Sequence, residues 1–284
     1  MYRGGKMNMK TLITMCLCIL LTACASKPKE KTRAERQAEL YYNQGTRELV
    51  AKDYTLALQK LLEANRLKPN DSKICNNLGM AYYFKKDHET GIRFVKKSIK
   101  LDPKNTDAKL NLATIYMQDN KLDKAETLYK SLLKDLTYTK HSRTYYNLAM
   151  IELRRNNDTK AVEYLDKSVE DNPNYCPSYY KLGDIASKRG SYKKALKFYK
   201  SSGMGICYDN IKPHLAQIEM MIKLKDYDQA RLKLDEMMEK YAMTKHESIV
   251  KLKIEEVNRM RRLSERTNQE YSKKLDRNFL STDF

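Results

Sequence analysis

The chain repeats itself. Residues 43–70 (NQGTRELVAKDYTLALQKLLEANRLKPN), 77–104 (NLGMAYYFKKDHETGIRFVKKSIKLDPK) and 181–203 (KLGDIASKRGSYKKALKFYKSSG) align with one another. A fixed period constrains a fold more tightly than composition does, because each unit must bury its apolar face against copies of itself. Counted from starts at Ala38, Ser72, Thr106, Ser142, Cys176 and Ile211, successive spacings are 34, 34, 36, 34 and 35 residues. The eighth position of each unit holds Gly45, Gly79, Ala113, Ala149, Gly183 and Ile218, and the twentieth holds Ala57, Gly91, Ala125, Ala161, Ala195 and Ala230. Small side chains at two fixed points let the two helices of a hairpin cross closely. Pro69, Pro103 and Pro173 stand where the second helix must stop, because proline has no N–H to extend the ladder. With only 9 Gly and 6 Pro in 284 residues, turn-rich all-β and collagen-like chains are excluded.

This unit resembles the tetratricopeptide repeat (TPR), a helix–turn–helix module of 34 residues. The resemblance implies an all-α fold: a TPR solenoid of about six repeats over 38–243, closed by a C-terminal capping helix. The sixth repeat is degenerate, since Ile218 replaces the small residue. Residues 244–284 form an amphipathic helix and tail. Ile249, Val250, Leu252, Ile254, Val257 and Met260 follow three/four spacing. Two readings of this helix stay open, a cap on the last repeat and a partner-binding helix.

The N-terminus reads as an address. Residues 1–10 carry Arg3, Lys6 and Lys10 and no acid, and residues 11–23 are a short apolar run. Thirteen apolar residues cannot span a bilayer as a helix, which needs about 20, but they do suit a secretory signal. Leu21-Thr22-Ala23-Cys24 resembles the bacterial lipobox, in which the cysteine is acylated and becomes the first residue of the mature protein. Residues 1–23 are therefore expected to be a lipoprotein signal peptide and Cys24 the lipidated residue. Residues 24–37 follow as the lipidated Cys and its basic, Pro-interrupted tether. An ordinary signal peptide with an incidental cysteine is the alternative, and Met7 or Met9 could equally be the start. Ala25 and Ser26 follow Cys24, with no Asp directly after it. Under the enterobacterial sorting rule this places the chain in the outer membrane, lipid-anchored and facing the periplasm. Loss of the three basic signal residues lowers the formal charge from +19 to +16. That surplus favours anionic surfaces and acidic partner segments.

Cys16 and Cys18 leave with the signal, so Cys75, Cys176 and Cys207 remain beside Cys24. Cys75 is the fourth residue of repeat two, a packing position. Cys176 opens the first helix of repeat five and Cys207 follows its second, so both lie at one end of an antiparallel hairpin. A Cys176–Cys207 disulfide is geometrically reasonable in an oxidising compartment, and two free thiols are the other reading. No C-x-x-C occurs and the four histidines are scattered, so no metal site is expected. Nucleophile elbows, Walker loops, H-E-x-x-H and G-x-G-x-x-G are also absent, and neither an enzymatic role nor a cofactor nor a small-molecule substrate is expected. Charge alone suggests nucleic acid, and export argues against it.

Stacked repeats present a concave surface lined by the first helices. The candidate partner-binding groove comprises Tyr42, Asn76, Met80, Tyr83, Leu110, Met117, Tyr146, Met150 and Tyr180. Thr46, Leu49, Lys73, Thr114, Arg143, Leu153 and Asp184 occupy neighbouring groove positions. Tyr and Met at matching positions give amphipathic anchors for a bound peptide. The competing reading is that each Tyr only packs between helices.

A lipobox followed by about six TPR units resembles the type IV pilus pilotins, the PilF, PilW and Tgl lipoproteins. The inserted pair of residues before repeat four, in DLTYTKHSRTYYNLAMIEL (135–153), and NPNYCPSYYKLGDI (172–185) with a second Cys one repeat later add to it. The Cys spacing looks most like the Tgl branch. The resemblance implies a non-enzymatic outer-membrane protein that helps the secretin subunit insert and multimerise. The partner would be a secretin subunit or another envelope protein, with the membrane reached through the N-terminal lipid. The alternative is a periplasmic TPR lipoprotein scaffold that recruits cell-wall enzymes or other envelope complexes. The very basic composition and the degenerate sixth repeat depart from the family.

Overall fold

The computed structural model describes residues 30–280. The signal segment 1–23, the lipidation position Cys24 and the first part of the tether lie outside the described residues. The chain divides into two compact units, Met1–Pro103 and Lys104–Phe284. Among the described residues there are thirteen α-helices and no strand, the all-α class the repeat implies.

The first unit holds two hairpins. They are α1 (Arg33–Ala51) with α2 (Tyr54–Leu67), and α3 (Ser72–Phe84) with α4 (His88–Leu101). Helix α1 begins four residues before the expected end of the tether at residue 37. Thr32 and Glu35 form a capping box: the Thr32 hydroxyl accepts from the Glu35 N–H at 3.2 Å, and the Glu35 carboxylate accepts from the Thr32 N–H at 2.7 Å. Two N–H groups that a helix start leaves unpaired are satisfied this way. The core of this unit gathers Leu61, Leu78 and Ala81, with Tyr42, Leu49 and Phe94 packed against them.

The second unit continues with α5 (Thr106–Gln118), α6 (Leu122–Leu133), α7 (His141–Arg154), α8 (Asp158–Asp171), α9 (Cys176–Lys188) and α10 (Tyr192–Ser202). A 3₁₀ turn at Gly205–Cys207 precedes α11 (Ile211–Lys223), α12 (Tyr227–Tyr241) and the long α13 (Glu247–Leu280). Helices α2, α4 and α8 each end two residues before their proline, as the missing N–H requires.

The small residues do what the spacing implies. A Cβ added to Gly79 would stand 2.8 Å from the Gly91 carbonyl oxygen, and one added to Gly183 would stand 2.6 Å from the Tyr199 ring. Ile218 is also fully buried, and α11 and α12 approach each other less closely than the helices of the other hairpins. Leu234, Met237, Val250 and Val257 share one buried core with Ile218. Helix α13 therefore caps the last repeat through Val250, Ile254 and Val257, while Ile249 and Leu252 face outward.

Three regularities were not read from the sequence. The fifteenth residue of every repeat is left-handed, with φ between 58° and 73° at Lys52, Lys86, Asn120, Asn156, Gly190 and Lys225. Only one of the six is glycine, so the others hold this turn against the Cβ penalty. The second helices begin on polar caps in repeats one, two, four and six: Asp53, Asp87, Asn157 and Asp226 each accept an N–H three residues on. At the twenty-seventh position, Ser98 donates to the Ser72 carbonyl at 2.7 Å and Ser168 to the Ser142 carbonyl at 2.8 Å, tying the far end of one helix to the start of its partner.

Candidate functional site

The two units each present their own part of the expected groove. In the first, Tyr42 is half-buried on the Leu61–Leu78 cluster. Tyr42 and Lys73 line a cleft of about 240 Å³ with Glu35, Lys68, Asp71 and Ile74. Met80 is half-buried. Two expected groove residues are not available to a partner. Asn76 is 5% exposed, and its amide donates to Asn77 at 3.0 Å. Tyr83 is 7% exposed and stacks on His88, with ring centroids 4.4 Å apart. At these positions the neighbouring side chains close over the helix, so the hydrogen bond and the ring contact are internal.

In the second unit Leu110 is also a correction. It is 2% exposed and belongs to the core with Tyr129, Leu148 and Ile151. Met117 is half-buried against the same cluster, and Met150 is half-buried on α7. Tyr146 and Tyr180 remain as half-buried anchors on α7 and α9.

Around them the structure assembles more than the repeat positions indicated. Tyr175, at the N-cap of α9, meets Tyr146 edge-on at 5.8 Å, and Tyr199 from α10 meets Tyr180 at 5.4 Å. The Tyr199 hydroxyl donates to Asp184 at 2.9 Å, and the other Asp184 oxygen accepts from Lys181 at 2.8 Å. Tyr175 is the last residue of repeat four, outside the first helices, and that is why a search of those helices passed it over. Its signal was the run Asn-Tyr-Cys-Pro, which places an aromatic directly before a helix start.

The electrostatics follow from this packing. Burial pushes the Tyr146, Tyr175 and Tyr180 phenols above their usual range. Tyr199 rises further, first through burial and then through the Asp184 carboxylate beside it. Burial disfavours the Lys181 charge, but the hydrogen bond and charge of Asp184 outweigh it and raise the ammonium pKa. At neutral pH the surface thus offers protonated phenols over apolar ring faces, with one ion pair between them. That combination suits a peptide carrying both apolar side chains and backbone carbonyls. Among the described residues no group of His, Cys, Asp and Glu is placed to hold a metal ion.

Below this surface, Cys176 and Cys207 have Cα atoms 6.3 Å apart, within disulfide range, and the structure joins their sulfurs. Cys75 is fully buried, and burial raises its thiol pKa. A further buried network lies on α7. Glu152, 2% exposed, accepts from Arg155 at 2.9 Å and from Asn157 at 3.0 Å, while Arg155 also reaches Glu126 at 2.7 Å. Three consecutive helices are linked by it.

Tetratricopeptide-repeat profiles match residues 85–137, 142–175 and 164–197. The anaphase-promoting complex subunit 3 of Schizosaccharomyces pombe is 24% identical over 179 residues, which is 62% of this chain but 26% of that protein. The chain thus spans about a quarter of that relative. The type IV pilus assembly protein PilF of Pseudomonas aeruginosa is 20% identical over 204 residues, covering 70% of this chain and 81% of PilF. Among solved structures, Pseudomonas aeruginosa PilF superposes with a TM-score of 0.62 at 19% identity, over 80% of this chain and 99% of PilF. PilW, a type IV pilus biogenesis factor, superposes with a TM-score of 0.62 at 14% identity, over 75% of this chain and 97% of PilW. The chain carries tetratricopeptide repeats within residues 85–197 and has an all-helical, TPR-like fold similar to those of PilF and PilW.

Proposed function

We propose that this chain is a lipid-anchored, outer-membrane TPR protein that assists secretin assembly in type IV pilus biogenesis. The observation that carries this reading is coverage. The repeats match nearly the whole of PilF and PilW, whereas the larger eukaryotic TPR protein is matched only in part. The half-buried tyrosines of the second unit provide a binding surface and no catalytic constellation, so the role proposed is holding another chain. Cys24 carries the lipid, and the secretin subunit is the partner.

Deletion of the gene tests the reading. Heat-resistant secretin multimers and surface pili should disappear while monomeric secretin persists. Normal multimers in the deletion strain would overturn it, and a cell-shape or lysis defect with normal multimers would point instead to recruitment of cell-wall enzymes. Separately, Cys24→Ala should shift the protein from the membrane to the soluble fraction or leave it uncleaved. Unchanged membrane fractionation would refute the anchor.

A further inference from the structure

Helix α13 does two jobs with two faces. Val250, Ile254 and Val257 close the core of the last hairpin. A second line of residues, Ile249, Leu252, Glu256, Met260, Leu263, Thr267 and Tyr271, advances by three, four and four. Eleven residues in three turns is about 3.67 per turn, close enough to a relaxed helix for the line to run straight along the axis. From Ile249 to Tyr271 it extends about 33 Å at 1.5 Å per residue. Leu252 is 64% exposed, Leu263 50% and Tyr271 67%.

The helix also outruns its support. Lys253 reaches Glu219 at 3.8 Å and Arg261 reaches Asp228 at 3.3 Å, holding the first half to α11 and α12. Every residue from 265 to 274 is exposed. A polar helix without tertiary contacts is only marginally stable in water, so an extension of this length implies something that packs on it.

The charges say what kind of surface fits. Arg259, Arg262 and Arg266, spaced three and four apart, lie along one side of the apolar line, and all three are exposed. None of them forms an ion pair among the described residues, although 22 such pairs occur elsewhere. Lys273 and Lys274 follow, also exposed and without an ion pair among the described residues, and the acids Glu255 and Glu270 bracket the arginines. We propose that the Ile249–Tyr271 face of α13 docks an acidic amphipathic helix of a partner protein. Its apolar side chains would sit on Leu252, Met260, Leu263 and Tyr271, and its carboxylates against Arg259, Arg262 and Arg266.

Two other occupants fit less well. A second copy of α13, antiparallel about Met260, would set Arg259 against Arg262 of the other chain. A lipid surface calls for a wide apolar face with lysines around it, whereas this face is one residue wide and carries arginines, whose fork matches a carboxylate. This surface belongs to α13 alone and does not rest on the pilus assignment.

The test uses the full chain and two labelled 21-residue helical peptides. Both carry the same Leu stripe, one with Glu flanks and one with Lys flanks. Fluorescence anisotropy should show the Glu peptide binding at least tenfold more tightly. The triple variant Arg259→Glu, Arg262→Glu, Arg266→Glu should reverse that order, which simple unfolding cannot do. Leu263→Ser with Tyr271→Ser should weaken the Glu peptide about tenfold at unchanged thermal midpoint. Equal binding of both peptides, or a preference that survives the charge reversal, would overturn the proposal. So would retention on phosphatidylglycerol vesicles without peptide preference, or a dimer in sedimentation that these substitutions dissolve.

Discussion

Gly79→Ala tests the packing logic of the whole repeat. The added methyl would meet Val95 Cγ2 at 2.6 Å, the Gly91 carbonyl oxygen at 2.8 Å and the Val95 nitrogen at 2.9 Å. Nonbonded carbon contacts are comfortable at about 3.5–4.0 Å, so α3 and α4 must separate by several tenths of an ångström. Two of the three atoms are backbone and Val95 is fully buried, so no flexible side chain can absorb the change. Overpacking of this kind costs about 1–3 kcal/mol. Replacing glycine by alanine inside a helix returns about 0.5–1 kcal/mol. The net expectation is a loss of about 0.5–2 kcal/mol, seen as a lower urea midpoint at unchanged slope. Gly45→Ala should lose less, because its nearest contacts are the Leu61 side chain, at 2.6 Å and 3.1 Å. Gly190→Ala meets nothing within 4 Å but sits at φ +73°, so its cost of about 1–2 kcal/mol comes from the backbone alone. In the double variant Gly79→Ala, Val95→Ala the two losses should add to less than their sum, since removing the valine methyls relieves one clash. If Gly79→Ala were as stable as the parent and the cycle additive, the close crossing would not be what selects small residues.

The remaining predictions concern the second unit. Cys176→Ser or Cys207→Ser should lower stability by about 3–4 kcal/mol for a loop of 31 residues in the chain-entropy model, and reductant should do the same to the parent protein. Three titratable thiols in unfolded, unreduced mature protein carrying an acylated Cys24 would exclude the bridge. His214 is 3% exposed and donates through Nε2 to the Tyr208 carbonyl at 2.8 Å, leaving Nδ1 buried without a hydrogen-bond partner among the described residues. Burial lowers its pKa. The unfolded chain therefore takes up the proton first, and stability present in full above about 6.5 falls as pH drops below that value. Thermal midpoints of the parent should fall with acidification more steeply than those of His214→Asn, and parallel curves would refute the assignment. Glu152→Ala should cost about 1–3 kcal/mol because it removes the buried carboxylate that accepts charged and neutral hydrogen bonds from Arg155 and Asn157. A neutral substitution in denaturant titration would show that the network adds nothing.

The sequence by itself determined the repeat, its hairpin form and where its helices stop. These rest on local chemistry: the size of one side chain at a crossing, or a proline that cannot continue a ladder. The starts of the helices were legible too, through Thr32 with Glu35 and the recurring Asp and Asn caps, although only the structure drew them out. The left-handed residue at position fifteen was hidden because lysine holds it in three of six repeats, and only the Asn and Gly of the other three favour positive φ. The candidate surface was half legible. Period alone put Tyr42, Asn76, Leu110, Tyr146 and Tyr180 at the fifth position and Tyr83 at the twelfth, but backbone position does not set exposure. Neighbours did that: His88 covers Tyr83, and the Tyr129–Leu148 core takes in Leu110, while Tyr146 and Tyr180 keep an open side. Tyr175 joined that surface from outside the first helices, through a contact 29 residues away in the chain, while buried Tyr199 supports Tyr180 from behind, 19 residues away. A periodic sequence fixes which residues share a face, and the packing of nonlocal side chains decides which of them a partner can touch.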